Sequence, residues 1–422
     1  MSQDSETRVP RHSAAPRAGA GHWHAGHGSV PAASRHTRRI IAAVLVPAAI
    51  ATVVAMIALW PGRVQFPGPA GDQGGVRALG TVTSISERAC PAPAPGSPRP
   101  AGRAQICGSA VVRVTDGPGT GQDATVDLPA GPSAVRLHVG DDLVLLYFPD
   151  AVPGGRDYTV TDHQRSTPMI WLLVLAAAVV LAFGRWRGVS SLVGLGVSFG
   201  VLLLFVIPAI LRGSPPLLVA VIGASAIMFA ALYLTHGVTV HTSVAIAGTL
   251  ASLVLTGAIG VGFTAAMHLT GIAGDDDSFL SATQGGIDMR GLLLAGIVIG
   301  ALGVLDDVTV TQAATVAEMA AAAPATTRWR LYQAASRIGR AHAASAVNTI
   351  VLAYAGASLP LLLVLATGTQ PLSQLLTSEF LAQEILRSAV GTIGLVASVP
   401  ITTALAALVA ELRPAAAATP TA

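Results

Sequence analysis

Two adjacent carboxylates, Asp306 and Asp307, stand inside the apolar run GLLLAGIVIGALGVLDDVTVTQAATVAEM, residues 291–319. An acid at the centre of a membrane helix costs about 2.5–3.5 kcal/mol on insertion scales, so such a group marks function by default. Steps of four and three put Gly296, Gly300, Gly303, Asp307, Thr311, Ala314 and Glu318 on one helical face. The outer half of that face is glycine, with a G-x-x-x-G at Gly296 and Gly300 that would let another helix approach closely. The inner half is carboxylate and hydroxyl, with Gln312 beside Thr311. Asp306 points about 100° away from Asp307 and needs a partner of its own, so the pair does not make a shared-proton dyad. The competing reading is that both acids form the solvated inner end of the helix.

Other polar groups fall at a similar depth. Asn348 lies in the first turn of the next apolar run, and His342 precedes it. His236 and His241 flank a tight connection in LTHGVTVHTS, and Thr402 and Thr403 follow Pro400 in the last run. A proline frees a backbone carbonyl, a device found in ion and substrate sites. Carboxylate, imidazole, amide and hydroxyl are therefore expected to converge around Asp307. That set suits a proton relay or a divalent cation, and the choice between them stays open. No cofactor is expected.

The chemistry implied is passage of an unknown small solute or ion, a transporter or exporter with Asp307 as coupling or gating group. No G-x-x-x-x-G-K-[ST] segment exists and lysine is absent, so energy would come from an ion gradient or a partner. The alternative is an envelope accessory or assembly scaffold that binds a protein partner. An intramembrane aspartyl hydrolase ranks below both, since it needs two acids facing each other and one helix supplies all the acids at depth. The chain is not expected to be an enzyme.

These residues need a membrane to hold them. The 422 residues are 52% hydrophobic and 11% charged, against about 25% charged in a soluble domain, which excludes a purely soluble enzyme. Basic residues number 25, all Arg, against 22 acidic ones, so no nucleic-acid partner is implied. The absence of lysine reads as genomic bias, in keeping with a bacterial source.

A helix crosses the bilayer with about 20 apolar residues. Runs of that kind cover residues 40–60, 168–184, 189–211, 216–234, 242–270, 291–307 with its extension, 346–367 and 385–410, which predicts eight transmembrane helices. The expected division is a disordered tail at 1–38, an anchor helix at 39–60, an exterior domain at 61–167, a seven-helix membrane domain at 168–411 and a second tail at 412–422. Arg35, Arg38, Arg39, Arg185, Arg187, Arg328, Arg330, Arg337, Arg340 and Arg413 then fall on one side. By the positive-inside rule that side is the cytoplasm of a bacterial inner membrane, with both termini there. The basic amphipathic segment 327–342 reads as an interfacial helix on anionic lipid, or as arginines that pair with Glu318 or an anionic substrate. The tail motif HWHAGH could hold a soft metal, or be compositional bias in a disordered tail.

The exterior residues alternate in β-branched side chains over 76–87 and 106–115, with shorter candidates at 124–128, 142–148 and 157–161. Five short strands predict a small antiparallel barrel, OB-like. Cys90 and Cys107 flank a Pro-rich loop, and a disulfide is the default in an oxidising compartment, restraining the unfolded chain by about 3 kcal/mol. Two unpaired thiols are the other reading. His138 and His163 look isolated.

GVLDDVTVTQAATVAEM (303–319), IGRAHAASAVNTIVLAYAGASLPLLL (338–363) and GTIGLVASVPITTALAALVAE (391–411) resemble the YibE/F-like family of bacterial membrane proteins. The resemblance covers about residues 168–411. It implies an anchor helix, an exterior domain and a multi-helix membrane domain, with a transport role suggested. In that family an acid commonly stands between Arg and His of G-R-x-H. This chain has Ala341 there, which counts against a role for His342.

Overall fold

The computed structural model describes residues 34–62, 75–89, 106–128, 136–148, 157–367, 374 and 377–412. Helix α1, Arg35–Ala58, starts at an N-cap where Ser34 accepts from the Thr37 N–H and carries Pro47 inside it. It is apolar all round, and Leu45 is its one buried residue. Val44, Val46, Ile50, Val53, Val54 and Ile57 are exposed along it. A helix apolar on every face is stable only in apolar surroundings.

Five strands follow: β1 (Val76–Ala89), β2 (Ile106–Asp116), β3 (Asp123–Asp127), β4 (Asp142–Tyr147) and β5 (Tyr158–His163). They form one antiparallel sheet in the order β3-β2-β1-β4-β5. The alternation read from the sequence is real: Val82, Val112, Val126, Leu143 and Leu145 turn to one face and are buried. Gly80 is obligatory here, since a Cβ would stand 2.5 Å from Val112 Cγ1. The expected closed barrel is corrected to an open sheet, because among the described residues no ladder joins β3 to β5. Charged side chains guard the β3 edge, as edge strands require. Arg113 donates to both oxygens of Asp123 at 2.9 and 3.2 Å, and this holds the Asp123 carboxyl below its usual range. The pairing of Cys90 with Cys107 rests on Cys90, which lies outside the described residues, as does the HWHAGH tail. Leu143 is fully buried, so Leu143→Ala should destabilise the sheet by about 2–5 kcal/mol. Limited proteolysis of the full chain checks this through faster cleavage between residues 75 and 163.

The remaining chain is helical. Helix α2, Ser166–Val201, runs on through a π-helical turn, Leu202–Val206, into α3, Ile207–Leu211. Arg185 breaks α2 with φ 51 and ψ −127. Past it the chain doubles back, since a Cβ on Gly188 would stand 2.5 Å from the Val180 carbonyl oxygen. Then come α4 (Pro216–His236), α5 (Val240–Ala266), the short α6 (Asp275–Thr283), α7 (Met289–Ala322), α8 (Arg328–Ala357), α9 (Leu359–Thr367) and α10 (Glu379–Val409). Among the described residues six helical segments are long and apolar enough to cross a membrane. One of them, Ser166–Leu211, is 46 residues long and holds the reversal at Arg185, where the sequence reading has two runs.

The segment expected to lie on lipid at 327–342 is instead the first half of α8, continuous with the run that follows. Leu331 and Ala335 bury against Ala313, Val316, Ala406 and Ala407. Helix α7 is central: it touches α4, α5, α8 and α10.

Candidate functional site

The packing side of α7 is its aliphatic stripe, not its glycines. Leu294, Val298, Ala301, Leu305, Val308 and Val316 are buried, whereas Gly296, Gly300 and Gly303 are exposed. A Cβ on Gly296 or Gly303 would meet nothing within 4 Å, and one on Gly300 would stand 3.1 Å from the Tyr354 hydroxyl. Among the described residues only the Tyr354 hydroxyl comes close to the G-x-x-x-G, at Gly300. Asp307, Thr311 and Glu318 continue that exposed face. His342 and Asn348 on α8 are exposed as well.

The 100° offset between the two acids decides the outcome. Asp306 is half-buried, and its Oδ1 is shielded with no hydrogen-bond partner among the described residues. It faces a cavity of about 680 Å³ shared with Arg187, Ser191, Ser198, Thr235 and His236. Helices α2 and α4 supply those groups. Arg187 sits just past the reversal, and His236 ends α4 before Gly237, whose φ is 74°. Thr235 Oγ1 lies 2.7 Å from His236 Nδ1 and donates to the Ala231 carbonyl at 2.8 Å. The cavity thus gathers a carboxylate, an imidazole, a guanidinium and hydroxyls. The expected centre, Asp307, is not among its lining residues, nor is Asn348. His241 lines a different cavity, described below.

Gln312, Thr402 and Thr403 go to a third place, the buried seam between α5, α7, α8 and α10. Gln312 Nε2 donates to the Ala335 carbonyl at 3.0 Å and to Thr403 Oγ1 at 2.7 Å. Thr403 Oγ1 donates to the Val399 carbonyl at 2.6 Å. Thr249 and Thr309 approach hydroxyl to hydroxyl at 2.6 Å. Thr402 Oγ1 is buried with no hydrogen-bond partner among the described residues and presses on Gly248, where a Cβ would stand 2.2 Å away. These amide and hydroxyl bonds join helices in hydrocarbon.

Sequence reasoning used Arg187 only as a marker of topology and gave no weight to Ser191, Ser198 or Thr235. The available signal was depth alone, because the arginine pair after the 168–184 run and the end of the 216–234 run fall on one side. His138 and His163 in the sheet domain, which looked isolated, both approach Asp141 Oδ2, at 3.5 and 3.8 Å. No group of three His, Cys, Asp or Glu among the described residues is arranged to hold a metal ion.

No curated protein and no solved structure matches the chain. The family model described as YibE/F-like protein matches residues 172–412. That span takes in both arms of the reversal at Arg185, Asp306 and the whole Gln312 seam. With its apolar helices, the chain is a membrane protein, and it belongs to the YibE/F-like family.

Proposed function

We propose that the chain is a transporter that moves a solute or ion through its helical bundle, with Asp306 as the coupling acid. One observation carries this reading: Asp306, one of whose oxygens is shielded with no partner among the described residues, lines a cavity that also holds Arg187, Ser191, Ser198, Thr235 and His236. Such an oxygen costs about 1–3 kcal/mol or more unless a proton or cation satisfies it. His236 and the Thr235 and Ser198 hydroxyls are suited to pass a proton on, and Arg187 to hold the cavity's charge balance. The arginine distribution supports a bacterial inner membrane, with both termini cytoplasmic and residues 61–167 exterior. The oxidising side of that membrane favours the Cys90–Cys107 disulfide.

The test is reconstitution into liposomes holding a pH-sensitive dye, with an imposed potassium-diffusion potential. The expected result is potential-driven internal acidification that Asp306→Asn abolishes while insertion and thermal unfolding stay unchanged. Wild-type flux in Asp306→Asn would remove this acid from the path.

The open sheet favours a second reading, an envelope scaffold. Strands β3 and β5 end the sheet, and no ladder among the described residues uses their outer backbone, to which a partner strand could add. In-frame deletion of residues 64–165 separates the two readings. A scaffold loses its cellular role, and a transporter keeps its flux in liposomes.

A further inference from the structure

A second, larger cavity of about 1160 Å³ lies between α1, α4, α5, α7 and α10. It exceeds the roughly 300–1,000 Å³ typical of small-ligand pockets. Leu45, Val46 and Ala49 of α1, Phe229 of α4 and Ala317 of α7 give it apolar walls. Arg38 and His241 stand at one end, where α1 and α5 begin. From Arg38 to Ala49 the cavity deepens by about 16 Å along the helix, at 1.5 Å per residue. Its profile is that of an amphiphile, charged at the rim and aliphatic within.

Arg38 forms no ion pair among the described residues. The nearby acid, Glu411, accepts a hydrogen bond from the Ser34 backbone N–H instead. An acyl chain fits the stretch walled by Leu45, Val46, Ala49, Phe229 and Ala317. A guanidinium at the rim prefers phosphate, which its fork of N–H donors matches. Of helix α1 only Leu45 is fully buried; Ala55, Met56 and Leu59 pack on the bundle at its far end, and the cavity runs along its first half.

We infer that this cavity binds one anionic phospholipid, its acyl chain between α1 and the bundle and its phosphate on Arg38 and His241. The lipid acts as the filler that seats the anchor helix. This inference is independent of the transport reading, because the cavity shares no residue with that of Asp306.

Native mass spectrometry of the purified full chain in detergent tests it, with dioleoyl-phosphatidylglycerol, dioleoyl-phosphatidylcholine and inorganic phosphate as probes. Phosphatidylglycerol should remain as a single adduct in preference to phosphatidylcholine, and phosphate should not displace it. Arg38→Gln should weaken that adduct about fivefold to tenfold, the effect of one arginine near an anionic headgroup. Arg35→Gln, outside the cavity, should leave it unchanged. Ala49→Trp fills the apolar part and should remove the adduct while the thermal transition of the protein persists. Equal retention of both lipids, displacement by phosphate, an adduct that survives Ala49→Trp, or no adduct at all would each overturn the inference.

Discussion

Gly339→Leu should lower the unfolding temperature of the full chain in detergent by roughly 5–15 °C. A Cβ on Gly339 would stand 2.5 Å from Gln312 Oε1 and 2.5 Å from Val399 Cγ1. At Gly339 helix α8 has no side chain between it and both α7 and α10, so an added one forces two neighbours apart. Val399 is buried at 2% exposure on a helix that Pro400 already interrupts, and has little room to yield. Gln312 can move only by giving up its bonds to Ala335 and Thr403. Overpacking of a filled core costs about 1–3 kcal/mol. Stranding a buried amide adds about 1–3 kcal/mol more. Together these come to about 2–6 kcal/mol, a large share of a marginal stability of about 5–15 kcal/mol. Gly339→Ala should act in the same direction by a smaller amount. Differential scanning fluorimetry checks the pair, and an unchanged transition in both would show that this crossing is not a tight one.

That crossing also shows what a sequence of this kind conceals. Apolar length alone reveals the long helices, since about 20 apolar residues have few other uses. The arginines after residue 184 mark the reversal at Arg185 correctly, because guanidinium groups cannot stay in hydrocarbon. The sheet strands are legible too, as their alternation survives outside the membrane. The facing of α7 is not legible by the same means. In a soluble helix the polar side points outward, but here nearly every residue is apolar and periodicity loses its contrast. Glycine spacing fills that gap with a misleading cue. Small residues permit close approach without compelling it, and a Cβ on Gly296 or Gly303 would meet nothing within 4 Å among the described residues. The convergence of Gln312 with Thr403 spans 91 residues and depends on how three helices cross, which no local pattern encodes. Barrel closure fails in the same way, being decided by whether two edge strands meet.

The two neighbouring acids should separate sharply in function. Asp306→Asn is expected to reduce proton flux by about 10²-fold, the low end of what a positioned proton-transfer group contributes. Asp307→Asn should retain most of the wild-type rate. The substitutions are identical in chemistry and adjacent in sequence, so expression, insertion and net charge change equally. They differ in what each carboxylate faces. Asp306 opens onto the cavity with Arg187, Thr235 and His236, and one of its oxygens is shielded without a partner. Asp307 lies on the exposed face beyond Gly303 and does not line that cavity. An amide at 306 keeps the shape and the hydrogen-bonding capacity of the side chain but cannot take up and release a proton. His236→Gln should fall between the two, since the Thr235 and Ser198 hydroxyls remain to bridge the gap. Side-by-side dye traces from one batch of liposomes decide the matter. Equal loss in both aspartate variants would mean that the acids act through the charge of the helix as a whole. Loss in Asp307→Asn alone would move the path to the glycine face, where a second protein surface would have to enclose it.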